Sequence, residues 1–431
     1  MSDSADGGAD AGAGSFDLEE LIASTAEERV ATRSRRSSIA LGLSATFTIC
    51  WAIYVTASGQ WGRVIDQWAS AVTMIFGSFV AGSTPQGGGA VAFPVFTKVL
   101  EVPADVARTF SLSIQSVGMT AASLSILINR RRIVPAGVGI AGPAAIAGFL
   151  AGYFLIIKTD LPFGPSTVPG SYVKVMFTVV IAGMAFVTYL GYRVQLLEKR
   201  DAMPPLNGRL IGMLIFMGLA GGFTSVLVGS GADMFVYLAL VVLVGLSPRT
   251  GVASSVLVMT AVSIVGFILF GIVDGHLSVL LDSSGEVVNQ VSDKAVGIVD
   301  GSVAFGATGG LEAGRFDLFG LWLAAAPIVC WGAPLGSAVS SRVTDRQLVR
   351  FVVALALAET ISTIIFLDDL RTDAGLAVFA IVSTVVFLSG LWLLNKHRNR
   401  ILGLPAVDPS RSVTRGDVDL GPRLDEQLRQ E

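Results

Sequence analysis

The sequence predicts an all-α polytopic membrane protein: an inverted repeat with about eight full transmembrane helices and two broken, re-entrant helix pairs. Three observations predict it. Hydrophobic residues fill 52% of the 431 positions and charged residues only 15%, against roughly 25% charged in soluble chains. The apolar residues gather into runs near the ~20 that a helix needs to cross ~30 Å of hydrocarbon. Two runs, one in each half, are interrupted by glycine-rich segments that lipid would not tolerate in a simple span. The same composition excludes a disordered chain, a nucleic-acid binder and almost any soluble enzyme.

The elements follow in order. Residues 1–38 form a polar, acidic tail ending in a basic cluster, expected to be disordered apart from a short amphipathic helix near "FDLEELIAS". It is too long and too acidic for a signal peptide, so the first apolar run should stay in the membrane. The transmembrane domain spans 39–394. Repeat 1 covers about 39–157 and repeat 2 about 172–340, with an acidic extracytoplasmic loop at 274–316. Extra helices fill 348–394, and 395–431 is a charged tail. The 69–100 and 209–246 runs are broken by "STPQGGGA" and "LVGSGADM", and each is read as two helices meeting at a turn buried in protein.

Charge sets the topology. With the N-terminus inside and each broken run returning to its own side, 18 basic residues fall inside and 8 outside, as the positive-inside rule requires. The expectation is a multi-pass protein of the cell (plasma) membrane with both termini cytoplasmic. Three simple spans separate the broken runs, so the two enter from opposite faces. Sliding 77–124 onto 221–268 pairs Gly77 with Gly221, Phe79 with Phe223, Gly87 with Gly231 and Ser111 with Ser255. Matching interrupted helices in inverted repeats point to a substrate site.

The chemistry is expected at the breaks. In the first, Gly87, Gly88 and Gly89 permit close backbone approach, Ser83, Thr84 and Gln86 add donors, and a helix starts near Gly89. In the second, Ser230 and the backbone N–H groups from Gly229 through Gly231 to Ala232 play the same part. Two helix N-termini at mid-membrane would bind an anion without a buried lysine or arginine. Glycines that merely let helices cross closely are the alternative.

These glycine-rich breaks, each followed by a Pro-bearing turn and a helix rich in small residues ("VARTFSLSIQSVGMTAAS" and "GVASSVLVMTAVSIVGF"), resemble the TauE/SafE sulfite exporter family. The resemblance covers roughly 69–157 and 209–340. It implies an integral membrane transporter that exports sulfite, small organosulfonates or related anions. By position it places the family's glycine motif on Gly87, Gly88, Gly89, Gly229 and Gly231. Its helix start falls on Ser111 and on Ala253, Ser254 and Ser255. The chain departs from the family at Ala232 and Asp233, where glycines are usual, and in the length of the 274–316 loop.

Two buried acids stand out as candidates for proton coupling. Asp233 would repel an anion when ionised and admit it when protonated, or it would cap the following helix. Glu359, in "ALALAETISTIIF", either pairs with a polar group of a neighbouring span or faces a cavity. Gln115 would reach the substrate or glue two helices together. Lys98 and Arg108 would sit near the outer end, attracting anions or snorkelling to the interface, and Arg249 is their inner counterpart. Cys50 and Cys330 lie in apolar runs with no disulfide or zinc spacing. No histidine lies at membrane depth to activate Ser230, and no Walker loop or metal motif occurs, so neither catalysis nor a cofactor nor a metal is expected. The expected partners are a small anion and the lipid bilayer, with a homo-oligomer allowed. An anion channel and a membrane scaffold are the alternative functions.

Overall fold

The computed structural model describes residues 18–100, 102–159, 170–195, 200, 202–277, 280–282, 287–288, 298–299, 302–303 and 315–403. The acidic start (1–17), most of the 274–316 loop and the distal tail (404–431) lie outside these. Helix α1 runs from Leu18 to Ala57, so helix replaces the disorder expected over much of 1–38. The reason is composition: 18–38 has no glycine or proline and is rich in Ala, Glu and Arg. Its apolar part, Ser38–Ala57, is the first span.

The helices then follow as α2 (Trp61–Asp66), α3 (Trp68–Ser83), α4 (Gly89–Pro94), α5 (Ala104–Ile128), α6 (Pro135–Gly152), α7 (Gly170–Gln195), α8 (Gly208–Val228), α9 (Ala232–Tyr237) and α10 (Pro248–Gly266). After the loop come α11 (Leu318–Ser340), α12 (Asp345–Phe366), α13 (Asp369–Thr372), α14 (Ala374–Lys396) and α15 (Arg398–Leu402). Among the described residues nine helices are long and apolar enough to cross a membrane. Eight are the simple spans expected. The ninth is α8, the first arm of the second broken run, whose 21 residues reach about 31 Å. The 274–316 segment also holds short antiparallel pairings, Leu280–Asp282 with Val287–Val288 and with Arg315–Phe316. Val287 and Val288 are β-branched, which favours extended pairing.

Both broken runs fold as expected, and alike. Each first arm (α3, α8) ends at a buried glycine-rich break. Each second arm starts as a six-residue α-helix (α4, α9) and continues as a π-helix, Val95–Val99 in one and Leu238–Leu243 in the other. Pro94 explains the first transition, since its missing N–H removes the bond that would continue the α-helix. Nothing comparable explains the second.

The chain divides into two compact units, 1–133 with 263–343 and 134–262 with 344–431. Their boundaries do not follow the expected repeats, 39–157 and 172–340: α6 lies in the second unit and α11 in the first. In the first unit α11 packs along α3 and α5. In the second, α6 packs along α8, while α12 and α14 pack on α7. Both close pairs are made by glycine. A β-carbon on Gly82 would stand 1.8 Å from the Ala333 carbonyl oxygen, and one on Gly336 would stand 2.0 Å from that of Phe79. On the other side, Gly148 meets the Leu219 carbonyl oxygen at 2.2 Å and Gly218 meets that of Ala141 at 2.5 Å. These helix-interior glycines make the close crossings.

Candidate functional site

In the first unit α3 ends at Ser83 and the chain turns through Thr84, Pro85, Gln86, Gly87 and Gly88 into α4. The expected helix start at Gly89 is where the structure places it. Gly87 has φ 65°, a left-handed conformation open to glycine and strained for other residues. Ser83, Thr84 and Gln86 are buried. The Thr84 hydroxyl lies 3.0 Å from the Val80 carbonyl, to which it donates, and receives the Gln86 N–H at 3.4 Å. Phe96 stacks on Phe110 at 4.5 Å, fixing the second arm on α5. Two expected residues sit on α5 one turn apart: Gln115 donates through Nε2 to the Ser111 hydroxyl at 2.7 Å, and both are buried.

In the second unit α8 ends at Gly229, again left-handed (φ 83°). Ser230 and Gly231 lead into α9, and everything from Gly229 to Met234 is buried. One expectation needs correction. The N–H groups of Gly229 and Ala232 do not point to a ligand: Gly229 donates to the Ser225 carbonyl at 2.8 Å and Ala232 to the Ser225 hydroxyl at 2.9 Å. Burial without water obliges backbone donors to find protein partners, and α8 provides Ser225.

Asp233 is wholly buried in the first turn of α9. Its Oδ1 accepts the Met234 N–H at 3.0 Å and lies 3.5 Å from the Ser230 hydroxyl. Its Oδ2 and the hydroxyl of Tyr237 are buried without a hydrogen bond among the described residues. The two stand one helical turn apart on the same face. Sequence reading passed over Tyr237, although its i+4 spacing from Asp233 in "ADMFVY" was the available signal.

The remaining candidates divide. Ser111 and Ser255 are each the eighth residue of their helices, α5 and α10, and both are buried. Ser254 holds the chain together: it donates to the Thr250 carbonyl at 2.8 Å and accepts the Val134 N–H at 2.9 Å, at the start of α6. Lys98 and Arg108 are buried instead of snorkelling. The Arg108 guanidinium lies 3.7 Å from Asp105 and over the Phe270 ring at 5.1 Å. Arg249 pairs with Asp345 at 3.0 Å. Glu359 is buried among the hydroxyls of Thr178, Ser362 and Thr363. Among the described residues no cluster of three or more His, Cys, Asp or Glu forms a metal site.

Compared with known proteins, residues 70–363 match the family model described as sulfite exporter TauE/SafE. Neither the curated proteins nor the solved structures include a match.

Proposed function

Because the chain belongs to the sulfite exporter TauE/SafE family, a family of membrane transporters, we propose that it exports a small anion, sulfite or an organosulfonate, by alternating access. One observation carries this reading. Each unit holds a hairpin broken by a left-handed glycine, with buried polar side chains at the break. Two like-built units, each holding one broken helix, supply the moving bodies that alternating access needs.

Ser83, Thr84, Gln86, Gly87, Gly88, Gly89, Ser111 and Gln115 form the proposed substrate contacts of the first unit. Ser230, Gly231 and Ser255 are those of the second, while Gly229 shapes the turn through its left-handed backbone and Ser254 positions α10 by holding it to the start of α6. Asp233 couples anion binding to proton uptake. Its unpartnered Oδ2 supports that role, since a buried carboxylate with an unsatisfied oxygen is costly when ionised. The excess of basic residues on one side supports an orientation with both termini cytoplasmic, and the protein is placed in the plasma membrane as an exporter.

The test is flux of sulfite and of a simple alkanesulfonate in proteoliposomes containing the full chain. Saturable flux that an imposed pH or voltage gradient drives supports the proposal. Absence of flux for every such anion under both gradients would overturn it.

A further inference from the structure

Arg108 lies on α5 three residues before Ser111 and seven before Gln115, so all three share one helical face. They span about 10 Å along the helix axis. Arg108 is 5% exposed, Ser111 1% and Gln115 2%. The row therefore sets a buried cation one turn from two side chains already proposed as substrate contacts of the first unit.

The guanidinium is poorly engaged for so buried a charge. Its Nη1 stands 3.7 Å from Asp105 Oδ1, too far for a hydrogen bond, and its Cζ lies 5.1 Å from the centre of the Phe270 ring. Phe270 belongs to the π-helical stretch Phe267–Val273 that continues α10. Nε is buried without a hydrogen-bond partner among the described residues. Removing a cation from water while its donors stay unfilled is costly. A structural ion pair closes that gap with a two-point contact, as Arg63 does with Asp317 through Nε and Nη2. Arg108 has the same fork without the matching acceptor. The paired oxygens of a sulfite or sulfonate group supply one.

Two carboxylates set the strength of such a contact. Asp105 sits one turn before Arg108 with 20% of its side chain exposed. Asp274, which follows the π-helical stretch, is within electrostatic reach of the guanidinium. Lys98, near the end of the first hairpin's second arm, is the other buried cation of this region. An ionised Asp105 competes with any anion for Arg108. A transport path needs such competition, because an anion held too well does not leave.

We propose that Arg108 is the exit station of the transport path: it takes an oxyanion passed outward from Ser111 and Gln115, and Asp105 then displaces it. The proposal rests on the transport reading and adds to it a binding residue and a release device.

The test uses the purified full chain with sodium sulfite and sodium methanesulfonate as probes. Anion affinity is titrated in detergent, and flux is followed in proteoliposomes. Arg108→Gln should weaken binding roughly tenfold or more, through the loss of hydrogen bonds to a charged group. Arg108→Lys keeps the charge and loses the fork, so its affinity should fall between the two. Asp105→Asn should act in the opposite sense, binding the anion more tightly and releasing it more slowly, so that KM and kcat fall together.

A purely structural Arg108–Asp105 pair predicts that Asp105→Asn leaves anion affinity unchanged or weakens it, and that result would overturn the station. So would Arg108→Gln binding the anion as tightly as the wild type. Should Arg108→Gln not fold, Arg108→Lys and Asp105→Asn decide the matter. Wild-type flux with an unaltered affinity in the Arg108 variants would sink the station and leave transport standing. Anion binding that depends on Arg108, in a protein without flux, would keep the anion site and sink the transport reading.

Discussion

Gly222 has no room for a β-carbon: one built on its backbone would stand 1.8 Å from the carbonyl oxygen of Ala145. Gly82 has the same relationship, at the same distance, to Ala333. The two pairs join α8 to α6 and α3 to α11, so the backbone contact that seats one broken hairpin also seats the other. In lipid, where apolar surface gives little drive to association, such backbone approach is a main source of helix pairing.

Gly222→Ala and Gly82→Ala should therefore each destabilise the protein by about 1–3 kcal/mol or more, the usual cost of overpacking. Gly212→Ala, on the same helix as Gly222 but with nothing within 4 Å of its added carbon, should cost nothing. Thermal unfolding in detergent measures all three.

At the breaks the expected effect falls on function. Leucine at Gly87 is forced into a left-handed conformation worth about 1–3 kcal/mol of strain. Leucine at Gly231 meets the Thr224 Cβ at 2.9 Å. Gly87→Leu and Gly231→Leu should lower flux at least tenfold while membrane insertion, followed by fractionation, is retained. Transport surviving both would move the substrate site elsewhere.

Asp233 gives a prediction with a sign. Protonation removes a buried negative charge, so wild-type affinity for the anion should rise as pH falls. Asp233→Asn should bind at every pH as tightly as the wild type does in acid. Unchanged pH dependence in the variant would leave Asp233 as a helix cap and nothing more. The readout is anion affinity.

Arg63 and Asp317 form a two-point ion pair, Nε to Oδ2 at 2.7 Å and Nη2 to Oδ1 at 2.5 Å. Asp317 also caps α11 by accepting the Gly320 N–H at 2.9 Å. Asp317 is almost fully buried and Arg63 about one quarter exposed. Asp317→Ala should cost roughly 2 kcal/mol, from the lost cap and the lost pair together. Arg63→Ala leaves the buried carboxylate unpaired, so the double variant should lose less than the sum of the two.

Much of this was legible in the sequence because lipid constrains it so heavily. Eight simple spans, both breaks and the helix start at Gly89 follow from run length and glycine placement. The exchange of α6 and α11 between the units was not legible, since it depends on which distant carbonyls Gly148 and Gly336 approach. The Arg63–Asp317 pair bridges 254 positions, and nothing local announces it. Ser225 was missed for a related reason: its hydroxyl matters only because it faces Ala232 across the turn. Tyr237 is the exception, visible by spacing and overlooked.

The exchange of last helices bears on how the chain could be divided. A fragment ending after α6 would carry α3 without α11, the helix that its glycines fit, and a fragment starting at α7 would carry α8 without α6. Neither half could complete a unit alone, yet the two co-expressed halves contain every pairing. Severing the chain between α6 and α7 should thus be tolerated where deleting either half is not.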